Sequence, residues 1–234
     1  MKKTGNYVIV TFTVIYSCGQ KTGPAAVIRM GAYMNSKFFD LAKEKQDRMI
    51  NAALKIFARN GYRGASTDDM VKEAGISKGL LFHYFVSKLG LYTFIFDYST
   101  RYMTLELTTS VDKKETDFFE IYKQIEFAKM HALKNYPYMQ EFLNSTLYED
   151  VNEALLAIEE RRNALTGVYE AIYAQMDTGK FKPEVDARKL QKILELTTKG
   201  IMEEHFREGS FQPEMLYREV TGYLDMMRAV TMNT

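Results

Sequence analysis

The residues able to do chemistry in this chain gather between Asp47 and Leu91, in the stretch DRMINAALKIFARNGYRGASTDDMVKEAGISKGLLFHYFVSKLGL. Six of them suit contact with a polyanion. Thr67, at the start of a helix, can offer a hydroxyl and a backbone N–H to a phosphate oxygen. The Lys78 ammonium can meet a phosphate or a guanine edge. Gly79 has no side chain, so a DNA backbone can come close. His83 is the candidate for a base edge or a nearby phosphate, Tyr84 brings a hydroxyl for phosphate, and Lys88 brings charge to the start of the next helix. A lone surface lysine or histidine is usually only solvated, so these assignments stand on the framework that carries them. Arg63 reads as a surface residue and Ser66 as a simple cap.

Bond-making chemistry has little support. His131 and His205 are isolated and fall in no ligand spacing. There is no HExxH, no glycine loop built to cradle phosphate and no Ser-His-Asp arrangement that helical periodicity would assemble. The single cysteine excludes a disulfide framework and a cysteine-built zinc site. The expectation is a protein that is not an enzyme, with no metal and no cofactor.

The elements that must position the six residues are short helices. Met49, Ile50, Ala53, Leu54, Ile56 and Phe57 recur at the spacing of one buried helical stripe. Asn60-Gly61 ends that helix, with glycine suited to the left-handed turn beyond it. Ser66-Thr67-Asp68-Asp69 reads as a cap with acids in the first turn, opening a short helix to Ala74. Gly75 breaks it, Ser77 caps another short helix to about Tyr84, and a long aromatic helix begins near Ser87-Lys88. Two short helices across a tight Gly75-Ile76-Ser77 turn suit a helix-turn-helix. In such a unit the second helix enters the major groove while its apolar face stays anchored.

This stretch resembles the DNA-binding domain of the TetR/AcrR family of bacterial transcriptional regulators. The resemblance runs through Ala52-Ala53, Phe57, Asn60-Gly61-Tyr62, Thr67 and Asp69-Met70-Val71, then Ala74-Gly75-Ile76-Ser77-Lys78-Gly79, Phe82-His83-Tyr84-Phe85, Ser87-Lys88 and Leu91. Phe57, Tyr62, Ile76 and Phe85 read as core anchors. The sequence departs from the family pattern at Leu80-Leu81, at Phe82 where tyrosine is frequent, and at Leu89-Gly90. A hydroxyl contact to phosphate is thereby lost, and the operator sequence cannot be carried over. The resemblance implies an all-α, nine-helix TetR-like architecture. An N-terminal three-helix DNA-binding domain would occupy residues 34–88, and a helical regulatory and dimerisation domain residues 89–234. It also implies a homodimer on a near-palindromic double-stranded operator, acting in the cytoplasm as a repressor released by a small, largely apolar effector.

Pattern beyond residue 110 predicts helices over 112–135, 137–147, 150–176 (with Asp150 and Glu153 as a capping box), 186–207 and 213–230, and no strand pair. Aromatic and methionine side chains crowd this body. Most must be core, but Phe94, Tyr98, Tyr102, Phe118, Tyr122, Phe127, Met139, Phe142, Tyr169 and Tyr173 are candidates for an effector pocket, since tyrosine hydroxyls and polarizable methionine suit a bulky apolar ligand. Leu190, Leu194, Thr197, Ile201 and His205, with Leu216, Val220, Tyr223, Leu224 and Met227, form two stripes. These suit a four-helix dimer interface or burial within one subunit.

Composition agrees with a folded helical chain. It has 234 residues, 46% hydrophobic and 13% aromatic, with a net charge of +1 and only four prolines. Residues 34–98 carry ten basic and seven acidic groups, whereas residues 99–234 carry seventeen and twenty-three. A mildly basic front on an acidic body suits an anionic partner for the front. Residues 1–33 read differently. Lys2-Lys3, an apolar run and Cys18 resemble a lipoprotein signal, although Tyr16 is bulky for its cleavage motif. The reading favoured here is a start at Met34, with residues 1–33 an extension dispensable for DNA binding. No apolar run approaches the ~18–20 residues needed to span a bilayer, so no stable membrane association is expected. Two alternatives stay open: a DNA-organising protein of the same fold that ignores small molecules, and a membrane-tethered helical carrier.

Overall fold

The structure, a computed structural model, describes residues 35–233. The readings made of residues 1–33, and of Met34 as a start, lie outside the described residues. Among the described residues the chain forms nine α-helices and two 3-10 turns, Ser36–Asp40 and Thr146–Tyr148, and its only bridges of strand type are isolated. The helices are α1 (Lys43–Gly64), α2 (Thr67–Ala74), α3 (Lys78–Tyr84), α4 (Lys88–Ser110), α5 (Phe118–Asn135), α6 (Met139–Ser145), α7 (Asn152–Ala174), α8 (Ala187–Glu208) and α9 (Pro213–Thr231).

Local chemistry sets most of the boundaries. Ser66, Ser77 and Ser87 accept a hydrogen bond from the backbone N–H three residues on, at 3.3, 3.2 and 3.0 Å, and so open α2, α3 and α4. Gly75 and Gly209 close α2 and α8 in the left-handed conformation. Asp186 caps α8, and Pro213 occupies the first turn of α9. α1 starts a turn before Asp47, because residues 43–46 form a polar first turn that a hydrophobic stripe does not reach. α5 starts at Phe118 and not at 112, since Asp117 takes the N–H groups of Phe119 and Glu120 at 3.0 and 3.1 Å. The expected Asp150–Glu153 capping box does not form. Val151 is the N-cap of α7 and caps nothing by side chain; Glu149 accepts the Asp150 and Val151 N–H groups, and Glu153 turns to the Tyr62 hydroxyl.

Two apolar cores result. The first joins α1, α2, α3, α4, α6 and α7 around Phe57, Tyr92, Phe96 and Phe142. The second joins α8 and α9 to Phe118, Phe119, Tyr122 and Leu133 of α5. α5 serves both, because Ile121, Ile125, Ala128 and Ala132 face the first core. α4 is buried nearly all round from Gly90 to Asp97, as befits the helix through the middle of the molecule. No single helix among the described residues is long and apolar enough to cross a membrane.

The stripes offered for dimerisation meet a different fate. Leu190, Leu194, Ile201, His205, Leu216, Val220 and Leu224 are buried within the chain, and His205 Nε2 lies 2.9 Å from Glu219 Oε2, linking α8 to α9. Thr197 and Met227 are half-buried. An amphipathic stripe shows only that a face is covered, and here the chain covers it itself. Of the ten residues only Tyr223, 40% exposed, is available to another molecule.

Candidate nucleic-acid interface

The helix-turn-helix is held from below. Met70 and Ala74 of α2 and Leu81 and Tyr84 of α3 are buried, and Gly75 makes the turn between them at φ 63°. Phe38, in the turn ahead of α1, packs its fully buried ring against Tyr84, Phe85 and Phe94, with centroids 5.7, 5.0 and 5.3 Å away. This arrangement leaves the other side of α3 open.

Four of the six named residues lie at that accessible side of the unit. Thr67 is half-exposed at the start of α2. Lys78 and His83 are exposed on α3, and at Gly79 an added Cβ would meet nothing within 4 Å. Lys78 is not free: its Nζ lies 2.8 Å from Asp68 Oδ1, so the first turn of α2 supplies its counter-ion. The other two residues also have structural work. Tyr84 is only 7% exposed. Lys88 Nζ donates to the Arg63 and Ala65 carbonyls at 3.3 Å each and stands 4.7 Å above the Tyr62 ring, tying the α1–α2 connection to α4.

The body grips this unit at two places. At the first, the Tyr136 hydroxyl donates to Asp47 Oδ1 at 2.7 Å, accepts from Lys43 Nζ at 2.9 Å and meets the Tyr98 hydroxyl at 2.5 Å. Burial, together with its hydrogen-bonded partners, pushes the Tyr136 phenol well above its ordinary range. Burial disfavours the Lys43 ammonium, but Asp47 outweighs it and the net shift is upward. At the second, Glu149 Oε2 accepts the Tyr62 N–H at 2.9 Å and Glu153 accepts the Tyr62 hydroxyl at 2.8 Å, just past Gly61 at φ 62°. Burial and then Glu153 push the Tyr62 phenol up to about 12. Between α4 and α7, the buried Asp97 carboxylate is clamped by Arg161 and by Arg101 at 2.9 Å. Sequence reasoning missed these clamps. Asp47 reads as an ordinary helix-surface acid and Glu149 as an ordinary loop acid, and only the fold brings Tyr136 and Tyr62 to them.

The ten pocket candidates do not converge. Phe94, Met139 and Phe142 are packed in the first core, with Tyr98, Tyr102 and Tyr169 against it, and Phe118 and Tyr122 belong to the second. Tyr173 touches both cores and stacks on Tyr122 at 6.0 Å. Phe127 is 39% exposed, with His131 and Tyr217 beside it. Residue type selected them, and α5 presents two faces to two cores. Between Tyr122 and Tyr169 lies an ion pair that the sequence did not announce, Glu126–Lys129 at 2.7 Å. Burial opposes the Lys129 charge, but Glu126 outweighs it and holds the ammonium strongly protonated. An open groove of about 410 Å³ runs instead along the first clamp, lined by polar groups such as Arg48, Asn51, Lys134 and Asn135. No group of His, Cys, Asp and Glu among the described residues could hold a metal ion.

The fold and the open face of α3 define a helix-turn-helix protein with a larger helical body. Residues 49–93 match the family model described as bacterial regulatory proteins, tetR family. The HTH-type transcriptional regulator YuxN of Bacillus subtilis is 37% identical over 79 residues, 32% of this chain and 27% of that protein. The HTH-type transcriptional regulator UidR of Escherichia coli K12 is 42% identical over 50 residues, 21% of this chain and 26% of that protein. The chain thus spans about a quarter of the length of these curated relatives. A crystal structure of a TetR family transcriptional regulator from Chloroflexus aurantiacus shares the fold at 20% identity, covering 86% of this chain and all of that one with a TM-score of 0.56. Over residues 49–93 the chain is similar to the DNA-binding domain of the TetR family. The relatives named here are described as transcriptional regulators.

Proposed function

We propose that this protein is a cytoplasmic transcriptional regulator that binds a near-palindromic operator as a homodimer. Residues 34–88 form the DNA-binding domain in this reading, and residues 89–234 the regulatory and dimerisation domain. The observation that carries the reading is α3, anchored through Leu81 and Tyr84 while Lys78, Gly79 and His83 stay exposed. Thr67 and Lys78 meet phosphate, His83 reads toward the bases, and Lys88 and Tyr84 hold the unit in shape beside any phosphate contact they make. The dimer forms through the outward apolar faces of α8 and α9, where Ile193, Leu196, Met215, Tyr223, Met226 and Val230 are 40–57% exposed. A second copy pairing these helices gives a four-helix contact and spaces two α3 helices about one turn of DNA apart.

Release by a small ligand follows from the same architecture. α4 begins at the DNA-binding unit and runs through the core, so a ligand packed beside it that prefers one subunit arrangement shifts DNA affinity by that preference alone. The protein then acts as a repressor. The division of the ten pocket candidates between two packed cores favours a second reading, constitutive DNA binding without an effector. Titrating a fluorescent operator with the protein, alone and with candidate apolar ligands, separates them. Ligand-dependent release supports the first, and affinity unmoved by every ligand supports the second.

A further inference from the structure

The turn ahead of α1 docks onto the reading helix and reaches its one imidazole. The Asn35 N–H donates to the Tyr84 carbonyl at the end of α3 at 2.8 Å, and Phe38 seats the turn on Tyr84 and Phe85. Asn35 Oδ1 accepts the Lys37 N–H at 3.1 Å, which fixes the orientation of the amide. Its NH₂ therefore faces outward, and Nδ2 stands 3.5 Å from His83 Nε2. An amide NH₂ can only donate, so Nε2 must be the lone-pair nitrogen. The proton of the neutral ring then sits on Nδ1, which has no hydrogen-bond partner among the described residues.

We infer that Asn35, outside the helix-turn-helix, is a positioning residue that sets His83 as an Nδ1–H donor, so that His83 selects an acceptor on DNA. The inference rests on the DNA-binding reading and deepens it. A donor suits purine N7, guanine O6, thymine O4 or a phosphate oxygen, and it discriminates against the N4 and N6 amino groups of cytosine and adenine.

Asn35→Asp is the informative substitution. Aspartate still accepts the Lys37 N–H and keeps the backbone bond to Tyr84, so the turn is preserved. Its carboxylate can only accept, so it draws the ring proton to Nε2. The test has two parts. Nitrogen-15 shifts of His83 at about pH 8.5, where imidazole is ordinarily neutral, report the tautomer in both proteins without DNA. A DNA site selected by the wild-type protein from a random pool is then scanned with 7-deazapurines and with methylphosphonates, which separate a base contact from a phosphate contact. The wild type should show Nδ1–H and lose about three- to tenfold affinity at one substituted position. Asn35→Asp should show Nε2–H and be insensitive at that position, while its thermal stability is unchanged. An Nε2–H wild type, or the same tautomer and the same scan in both proteins, would overturn the role of Asn35. A pool that yields no enriched site would instead overturn the DNA reading, while the tautomer measurement still decides what Asn35 does.

Discussion

Replacing Tyr136 by phenylalanine isolates the first clamp between body and DNA-binding unit. The ring is 1% exposed and packs edge-on against Tyr98 and Tyr102 at 5.4 and 5.1 Å, contacts that phenylalanine keeps. What is lost is one hydroxyl with three partners: Asp47, Lys43 and Tyr98. Asp47 and Lys43 retain each other, with Lys43 61% exposed, so they recover much of their solvation. The Tyr98 hydroxyl is left facing an apolar edge. A half-satisfied polar group of this kind costs about 1–3 kcal/mol. A central value of about 2 kcal/mol lowers the melting temperature of a chain this size by about 4–8 °C. Thermal unfolding of Tyr136→Phe, Asp47→Asn and the double variant gives the coupling between the two positions. A coupling of about 0.5 kcal/mol or more is expected for partners in one network. Additivity within about 0.3 kcal/mol would show that the hydroxyl does not join α1 to the body.

Three further outcomes follow from the same geometry. Lys78→Ala should reduce the slope of log affinity against log salt by about 0.9 while the protein stays folded, and Asp68→Asn, which removes the competing counter-ion, should raise affinity; operator titrations at several salt concentrations check both signs. Leu196→Glu should place a charge in the α8–α9 contact and give a monomer by sedimentation velocity; a persisting dimer would move the interface elsewhere. Tyr62, with its phenol at about 12, contributes stability that is complete below the ordinary tyrosine value of about 10 and is lost as pH rises between the two. Urea unfolding over that range should show a loss that shrinks in Tyr62→Phe.

The sequence carried the DNA-binding unit further than the body because its signals are local. Ser66, Ser77 and Ser87 cap helices within three residues, and Gly75 ends one within a turn, so spacing alone recovers α2, α3 and the start of α4. The body depends on contacts far apart in the chain. Asp117 starting α5 could be read as a cap only by knowing that residues 112–116 turn away. Glu153 is a capping residue by spacing, but Tyr62, ninety-one positions away, takes its carboxylate. The dimer stripe failed for a related reason: burial by the same chain and burial by a second copy leave the same periodicity. Exposure separates them, and it moves the dimer proposal from Leu190 and Leu194 to Ile193 and Leu196. The pocket residues were chosen by type, and type does not say which of two cores an aromatic ring will join.

Selection of bound sequences from a random DNA pool by the purified protein tests the central claim most directly. The account predicts enrichment of an inverted repeat with half-sites about one helical turn apart, and loss of that enrichment when Lys78 and His83 are both replaced by alanine. Binding without any enriched repeat, or an enriched site unaffected by the double replacement, would contradict it.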